Sequence, residues 1–122
     1  MKKAHINVIL ICIDTLRADH LSCYGYPRRT SPNIDALGEE GILFENHITP
    51  AAHTTPTFTS IFTGQDPFHH GIIATLHAAV NERDMVLDDL TPTLPDILWR
   101  NGYETVGFDN LFSFSILAFR GD

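Results

Sequence analysis

A nearly unbroken run of branched apolar residues occupies positions 6–13 and stops at Asp14. Such a run predicts a strand buried on both faces, as inside a parallel sheet that helices cover. A carboxylate directly after this strand would lie at the carboxyl edge of the sheet, where open α/β folds bind their ligands. Because a buried carboxylate is costly without a partner, we expect Asp14 to meet a metal ion, another cation or a helix N-terminus.

The rest of the pattern alternates helical periods with short strands, which predicts an α/β fold with a mostly parallel sheet layered between helices. Ser, Thr or Pro marks the predicted helix starts, and Gly marks their ends. No clean period covers residues 75–90, which predicts a loop with short elements. The predicted helices are 32–41, 56–64 and 93–99, and the later predicted strands are 42–44 and 103–108.

The spacing of apolar side chains predicts which positions face the core. Each helix has an apolar stripe, and the last strand is expected to turn two apolar side chains inward and Glu104 outward. The predicted inward positions are Ile34, Leu37 and Gly38, then Leu94, Ile97 and Leu98, and finally Val106 and Phe108; Phe58, Ile61 and Phe62 are the apolar positions of the second helix.

Composition narrows the class of protein. The 122 residues carry a formal net charge of −7, which argues against a nucleic-acid partner because phosphate backbones bind clustered Lys and Arg. No apolar stretch reaches the roughly 18–20 residues of a membrane span, which argues against a membrane partner. Two cysteines do not make a disulfide framework. Together these features indicate a cytoplasmic protein.

The last part of the sequence is unusual for a domain end. Residues 113–119 are mostly apolar, the chain stops three residues later, and nothing there closes a domain. We therefore expect a truncated chain. Missing sheet neighbours would leave apolar faces and a strand edge exposed, so we also expect self-association through that edge.

Residues 54–57, Thr-Thr-Pro-Thr, lie where a loop meets the second predicted helix. Backbone N–H groups at a helix start bind anions, and the helix dipole favours negative charge there. A hydroxyl at such a junction can attack a phosphoryl or sulfuryl group once a base or a metal ion activates it. Simple N-capping by a Thr side chain is the other interpretation.

A series of short motifs extends this pattern along the chain. The motifs are DTLRADH (14–20), CYGY (23–26), TSPNIDAL (30–37), GILF (41–44), TTPT (54–57), TG (63–64) and PFHHG (67–71). Their order and spacing resemble the N-terminal part of the sulfatase family, within the alkaline-phosphatase superfamily. The resemblance is close over residues 6–74 and looser over 93–108. It implies that residues 1–122 form one truncated domain, the N-terminal portion of an alkaline-phosphatase-like fold.

The resemblance implies that Asp14 and Thr54 bind one divalent metal ion and that Thr54 is the nucleophile. Ca²⁺, Mg²⁺, Mn²⁺ and Zn²⁺ are the candidate ions. Sulfatases carry at this position a Cys or Ser that is oxidised to formylglycine, within the motif Cys/Ser-x-Pro-x-Arg. Thr54 replaces that residue and Phe58 replaces the Arg. We therefore expect no formylglycine, as in the superfamily branches with a Thr nucleophile, which act on phosphate esters or transfer phospho-groups.

The implied function is metal-dependent hydrolysis or transfer of a small anionic sulfate or phosphate ester, through a covalent intermediate on Thr54. Stabilisation of charge is expected from the metal and from N–H groups near Pro56 and Thr57. His70 is the second catalytic candidate. The resemblance implies further candidates for substrate contact, and these are Thr55, Thr57, Arg17 and His69.

Alternatives stay open at several of these positions. His69 and His70 could each be a turn histidine that hydrogen-bonds the backbone, and Arg17 could pair with Asp19. The remaining metal ligands and catalytic bases are expected beyond residue 122. The chain could also be a non-catalytic fragment or pseudoenzyme that binds an anion or a partner. A flavodoxin-like phospho-acceptor domain would use Asp14, but it does not explain residues 54–71.

Overall fold

The structure is a computed structural model that describes residues 6–73, 86–110 and 114–121. The predicted loop over 75–90 lies outside these residues except for 86–90, which carry no helix or strand. None of the described helices is long and apolar enough to cross a membrane. The elements in chain order are β1 (Val8–Ile13), α1 (Pro32–Glu40), α2 (Thr54–Thr63), α3 (Pro67–His70), α4 (Leu94–Arg100), β2 (Tyr103–Asn110) and β3 (Phe114–Gly121), with 3₁₀ turns at Ala18–His20 and Ser22–Tyr24.

The three strands form one sheet in the order β1-β3-β2. Strands β2 and β3 pair antiparallel, in a register that runs from Tyr103 opposite Gly121 to Asn110 opposite Phe114. Because this pairing is antiparallel, it does not confirm the expected mostly parallel sheet, which stays a prediction.

The helix ends follow the capping signals of the sequence. Ser31 and Gly41 flank α1, and Gly64 ends α2 in the left-handed conformation, with φ of 69°. Thr93 and Asp96 form a capping box at the start of α4. Helix α2 begins earlier than predicted, at Thr54 rather than Pro56. Pro is tolerated in the first helical turn because its missing N–H would have no helical partner there.

The predicted strand at residues 42–44 is wrong, since these residues form no strand. Two contacts explain the difference. The Tyr24 hydroxyl donates to the carbonyl oxygen of Phe44 at 2.9 Å, so this segment is held by a side chain of the second 3₁₀ turn. A Cβ placed on Gly38 of α1 would lie 3.9 Å from Leu43 Cδ1, so that side chain packs against the helix.

Strand β1 is not buried on both faces, contrary to the prediction. Ile9 and Ile11, which point to the same side of the strand, are 66% and 53% exposed. The sequence pattern identified the strand correctly, but no described layer covers this face.

Several predicted inward positions are also exposed. They are Ile34, Leu37, Ile97, Val106 and Phe108. In the last strand the prediction was inconsistent with strand geometry, because alternate residues share a face and Glu104 must point to the same side as Val106 and Phe108. All three are exposed in β2.

Buried side chains cluster instead where α2 meets α3, in residues 54–72, here called the α2–α3 corner. Among the described residues, Ile72 is the buried branched aliphatic side chain, with 2% of it exposed. Gly71 ends α3 with φ of 79°, a left-handed conformation that Gly adopts without steric cost. The other buried members of the corner are Pro56, Ser60, Pro67 and His70.

The chain divides into two compact units, one of which is Ile13–Ile48 and the other Met1–Cys12 with Thr49–Asp122. Within Ile13–Ile48, the Asp35 carboxylate accepts three hydrogen bonds. Ser22 Oγ donates to Oδ2 at 2.6 Å, and the Cys23 N–H and Ser31 Oγ both donate to Oδ1 at 2.9 Å. These four residues are here called the Asp35 hub. The hydrogen bond from Ser22 is the main reason that the pKa of Asp35 lies below its usual range.

Candidate active site

Thr54 is the first residue of α2, and its side chain is exposed. His53 precedes it as the N-cap in extended conformation, and its side chain makes no capping hydrogen bond. Pro56 lies on the same turn and is almost completely buried. The first turn of α2 is therefore anchored by a buried ring while it presents the Thr54 side chain at the surface.

Three hydroxyl and carbonyl oxygens hold the chain where it enters α2. The hydroxyls of Thr49 and Thr57 both donate to the carbonyl oxygen of Ala51, at 2.9 and 3.0 Å, and lie 3.1 Å from each other. A carbonyl oxygen has two lone pairs, so it can accept both bonds. Thr57, a candidate for substrate contact, thus uses its hydroxyl to fix the approach to the helix.

The N–H groups that were expected to stabilise negative charge are not available at the predicted positions. Pro56 has no N–H, and the N–H of Thr57 donates to the carbonyl oxygen of His53 at 3.2 Å. The expectation is therefore wrong for Thr57, whose N–H is used within the helix because α2 starts two residues earlier than predicted. What the helix offers in this turn is its dipole and the N–H of Thr55, which lies at the second helical position.

Phe58 stands where the formylglycine motif has Arg. Its ring packs one helical turn from Phe62, with ring centroids 6.3 Å apart and planes inclined by 48°. An uncharged aromatic pair on α2 thus replaces a cation at this position.

His70 is 7% exposed, and both of its ring nitrogens have partners. Nδ1 accepts the backbone N–H of Ile72 at 3.1 Å. Nε2 lies 2.9 Å from the hydroxyl of Ser60, which is 8% exposed on α2. This geometry matches the alternative interpretation of His70, a turn histidine bonded to the backbone. A catalytic role for His70 would require one of these bonds to break.

His69, by contrast, is exposed. Its Nδ1 lies 2.5 Å from Asp66 Oδ2, in a pair whose two side chains both face solvent. Asp66 also caps α3 by accepting the N–H groups of Phe68 and His69. The hydrogen bond with His69 is the main cause of the lowered pKa of Asp66. The predicted substrate contact at His69 stays a prediction.

Asp14 and Arg17 belong to the other compact unit. Asp14 is half-buried directly after β1, and Thr15 follows it with φ of 57°. A β-branched residue in this left-handed region is strained, and such strain is concentrated at functional sites. Arg17 forms two hydrogen bonds to Asp19, from Nε to Oδ1 at 2.9 Å and from Nη2 to Oδ2 at 2.5 Å. The ion pair considered as the alternative for Arg17 is thus present, and it lowers the pKa of Asp19.

The donors predicted for a metal ion are the carboxylate of Asp14 and the hydroxyl of Thr54. Oxygen donors of this kind fit a hard divalent cation such as Ca²⁺ or Mg²⁺. Two donors are fewer than the six or so ligands that these ions take. Within the described residues no group of three or more His, Cys, Asp or Glu side chains could hold a metal ion.

Sequence reasoning missed two features of these sites. Ser60 gave no signal, because its contact with His70 joins two helices across a turn and has no periodic pattern. The strained conformation of Thr15 was also missed, although an Asp-Thr step directly after an apolar strand offers a local cue to a tight turn.

Comparison with known proteins assigns the family. The family model described as Sulfatase matches residues 6–116, which is most of the chain. The chain belongs to the sulfatase family. Membership in this family of sulfuric ester hydrolases implies an alkaline-phosphatase-like α/β fold, consistent with the mixture of strands and helices described above.

Several curated sulfatases resemble this sulfatase-family chain at low identity. Human arylsulfatase A is 30% identical over 99 residues, which are 81% of this chain and 19% of the relative. An N-acetylgalactosamine-6-O-sulfatase from Bacteroides thetaiotaomicron is 31% identical over 99 residues, with the same two shares. Mouse iduronate 2-sulfatase is 33% identical over 107 residues, which are 88% of this chain and 18% of the relative. The chain therefore spans about a fifth of the length of these relatives. No solved structure matches it.

Proposed function

We propose that this chain carries the nucleophile of a metal-dependent enzyme that hydrolyses or transfers sulfate or phosphate esters, with Thr54 as the nucleophile. The observation that carries the proposal is the place of Thr54, exposed at the first position of α2 inside the segment that matches the sulfatase family. Helix N-termini favour anionic groups, and an exposed hydroxyl there lies in reach of one.

The proposed reaction has two steps. Thr54 Oγ1 forms a bond to the sulfur or phosphorus atom while the bond to the ester alcohol breaks, and the alcohol leaves with a proton. Water or an acceptor alcohol then displaces Thr54 and restores its hydroxyl. The dipole of α2 and the N–H of Thr55 favour the negative charge on the transferred group. Thr55 itself is the poorer nucleophile, since it occupies the variable position before Pro56.

By resemblance to the family, Asp14 and Thr54 are the residues that would hold the divalent metal ion. A bound cation supplies neutralisation of the ester oxygens and a lower pKa for the hydroxyl. The half-buried position of Asp14 after β1 and the strain at Thr15 support a functional role for this strand end.

The choice of ester depends on two opposing observations. The relatives named above are sulfatases, which favours a sulfate ester. The Thr at the nucleophile position favours a phosphate ester, by resemblance to the Thr branches of the superfamily. Formylglycine chemistry requires Cys or Ser at position 54, so we propose that it is not used. Self-association stays a prediction that rests on the exposed apolar face of β1.

Thr54→Ala is the decisive variant. We expect the full chain to hydrolyse p-nitrophenyl sulfate or p-nitrophenyl phosphate only with added Mg²⁺, Ca²⁺, Mn²⁺ or Zn²⁺. Thr54→Ala should lower turnover by at least about 1,000-fold, because the attacking oxygen is lost. Thr55→Ala is the matched control and should lose far less. Mass spectrometry of acid-quenched samples should find the phospho- or sulfo-group on the peptide that contains Thr54.

The alternative function is a non-catalytic module that binds an anion or a partner. The side chains of Thr57, Arg17 and His69 are each already hydrogen-bonded within the chain, so fewer groups are left to contact a substrate, which favours a partner-binding module over an enzyme. Equal turnover in the Thr54→Ala and Thr55→Ala variants, or no turnover with any of the four metal ions, would contradict the enzyme and favour this module.

A further inference from the structure

The contacts of His70 determine which of its nitrogens carries the proton. The N–H of Ile72 donates to Nδ1, so Nδ1 holds a lone pair and no hydrogen. The ring hydrogen is then on Nε2, which donates to Ser60 Oγ at 2.9 Å. Both partners are buried, so water does not compete for either bond. The ring is thus a fixed link between the turn after α3 and the middle of α2.

We propose that His70 is a positioning residue for Thr54: it holds Ser60, and with it helix α2, in one orientation, and the ring itself touches no reacting atom. The inference rests on the proposed function of Thr54 for its activity readout. It replaces direct catalysis by His70 with an indirect role.

The helix transmits this constraint. Thr54 and Ser60 lie on the same α-helix, about 9 Å apart along its axis at 1.5 Å per residue. A rotation or slide of α2 therefore moves the Thr54 hydroxyl with it. Reaction rates are sensitive to such movement, since a displacement of about 1 Å can cost about 100-fold. The turn between the helices is itself constrained, by Gly64 in the left-handed conformation and by the Asp66 cap.

Two conservative variants separate the two bonds of the ring. The amide nitrogen of Gln reaches the position of Nε2, so His70→Gln can keep a donor for Ser60 and loses the acceptor for Ile72. The amide oxygen of Asn lies near the position of Nδ1, so His70→Asn keeps the acceptor for Ile72 and loses the link to α2.

Steady-state kinetics of the full chain with p-nitrophenyl sulfate and p-nitrophenyl phosphate tests the proposal. We expect His70→Asn and Ser60→Ala to lower kcat by about 10- to 100-fold with little change in KM. The double variant should be no slower than either single variant, because both remove the same link. His70→Gln should recover most of the kcat, and Phe68→Ala, an exposed residue of α3, should match the unmodified chain.

The opposite pattern would overturn the proposal. If His70→Asn stayed active while His70→Gln did not, the bond to Ile72 would be the one that matters. If both variants lost far more activity than Ser60→Ala, His70 would act directly on the substrate.

A second measurement is independent of turnover. Nitrogen-15 NMR of histidine-labelled chain should show a ring hydrogen of His70 on Nε2 and none on Nδ1, and Ser60→Ala should shift that Nε2 signal. The signal of His70 is identified as the one that is absent in the His70→Gln variant. A hydrogen on Nδ1 would contradict the inference whatever Thr54 does. If Thr54→Ala kept its turnover while the NMR result was as expected, only the proposed function would be overturned.

Discussion

The α2–α3 corner and the Asp35 hub both tie a helix to a nearby turn through polar side chains, but they differ in charge and burial. In the corner, an imidazole and a hydroxyl are buried together. In the hub, a carboxylate accepts three hydrogen bonds and solvent still reaches it. Breaking the hydrogen bond of a buried polar pair is costly, whereas water can partly replace the lost hydrogen bonds of a solvent-accessible carboxylate. The comparison therefore predicts a robust corner and a weaker, pH-sensitive hub.

Removal of the imidazole from the corner should have the largest effect. We expect His70→Ala to lower the free energy of unfolding by about 2–4 kcal/mol. The substitution leaves a cavity, and the buried N–H of Ile72 and hydroxyl of Ser60 lose their hydrogen-bond partner. Urea unfolding of the full chain measures the loss. Phe68→Ala is the control on the same helix and, at 89% exposure, should change stability by less than about 0.5 kcal/mol. If both variants lowered the free energy of unfolding equally, the buried contacts of His70 would contribute no more to stability than an exposed side chain does.

Neutralisation of the hub should have a smaller effect. Asp35→Asn replaces one acceptor oxygen with an amide nitrogen, which cannot accept the hydrogen bond from the Ser22 hydroxyl. We expect a fall in Tm that is smaller than that of His70→Ala. Glu39→Gln, which removes an exposed charge from the same helix, is the matched control and should leave Tm nearly unchanged.

The difference in Tm between the unmodified chain and Asp35→Asn should depend on pH. The pKa of Asp35 is lower in the folded chain, mainly through the bond from Ser22, so the unfolded chain binds more protons in the acid range. The contribution of Asp35 is complete above its unfolded pKa of about 3.9 and is lost as pH falls through the lower folded value. A difference that stayed constant from pH 7 to pH 2 would contradict the charge-based description of the hub.

The smallest effect should come from the strained turn in the same unit as the hub. We expect Thr15→Asn to raise the free energy of unfolding by about 0.5–1 kcal/mol, because Asn tolerates the left-handed region better than a β-branched residue. Thr15→Val keeps the branch and should bring no such gain. If Thr15→Asn were destabilising, the side chain of Thr15 would contribute more than its backbone strain costs.

Much of the fold could be predicted because its signals are local. Ser31, Thr93 and Gly64 mark helix ends by their own conformational preferences, and the apolar run before Asp14 marks β1. The strand predicted at residues 42–44 failed because the hydroxyl of Tyr24, far away in sequence, binds the Phe44 carbonyl. Periodicity identifies an apolar face but does not say what covers it, which is why Ile9 and Leu37 are exposed.

The candidate site was predictable to the same degree. The position of Thr54 at a helix start follows from the Thr-Thr-Pro-Thr motif, and the pairing of Arg17 with Asp19 follows from their spacing. The link between Ser60 and His70 could not be predicted, because it depends on how two helices pack. The N–H donors were misplaced because the first turn of a helix is uncertain by a residue or two when Pro lies inside it.

The closeness in sequence of Ser60 and His70 has a consequence for the order of folding. They are ten residues apart, and closing a loop of that length takes only about 10–100 ns. Contacts between near neighbours cost little chain entropy, so they form before the long-range pairing of β1 with β3. We therefore expect the corner to form early in folding. The orientation of helix α2, which carries Thr54, would then be set before the strands distant in sequence pair.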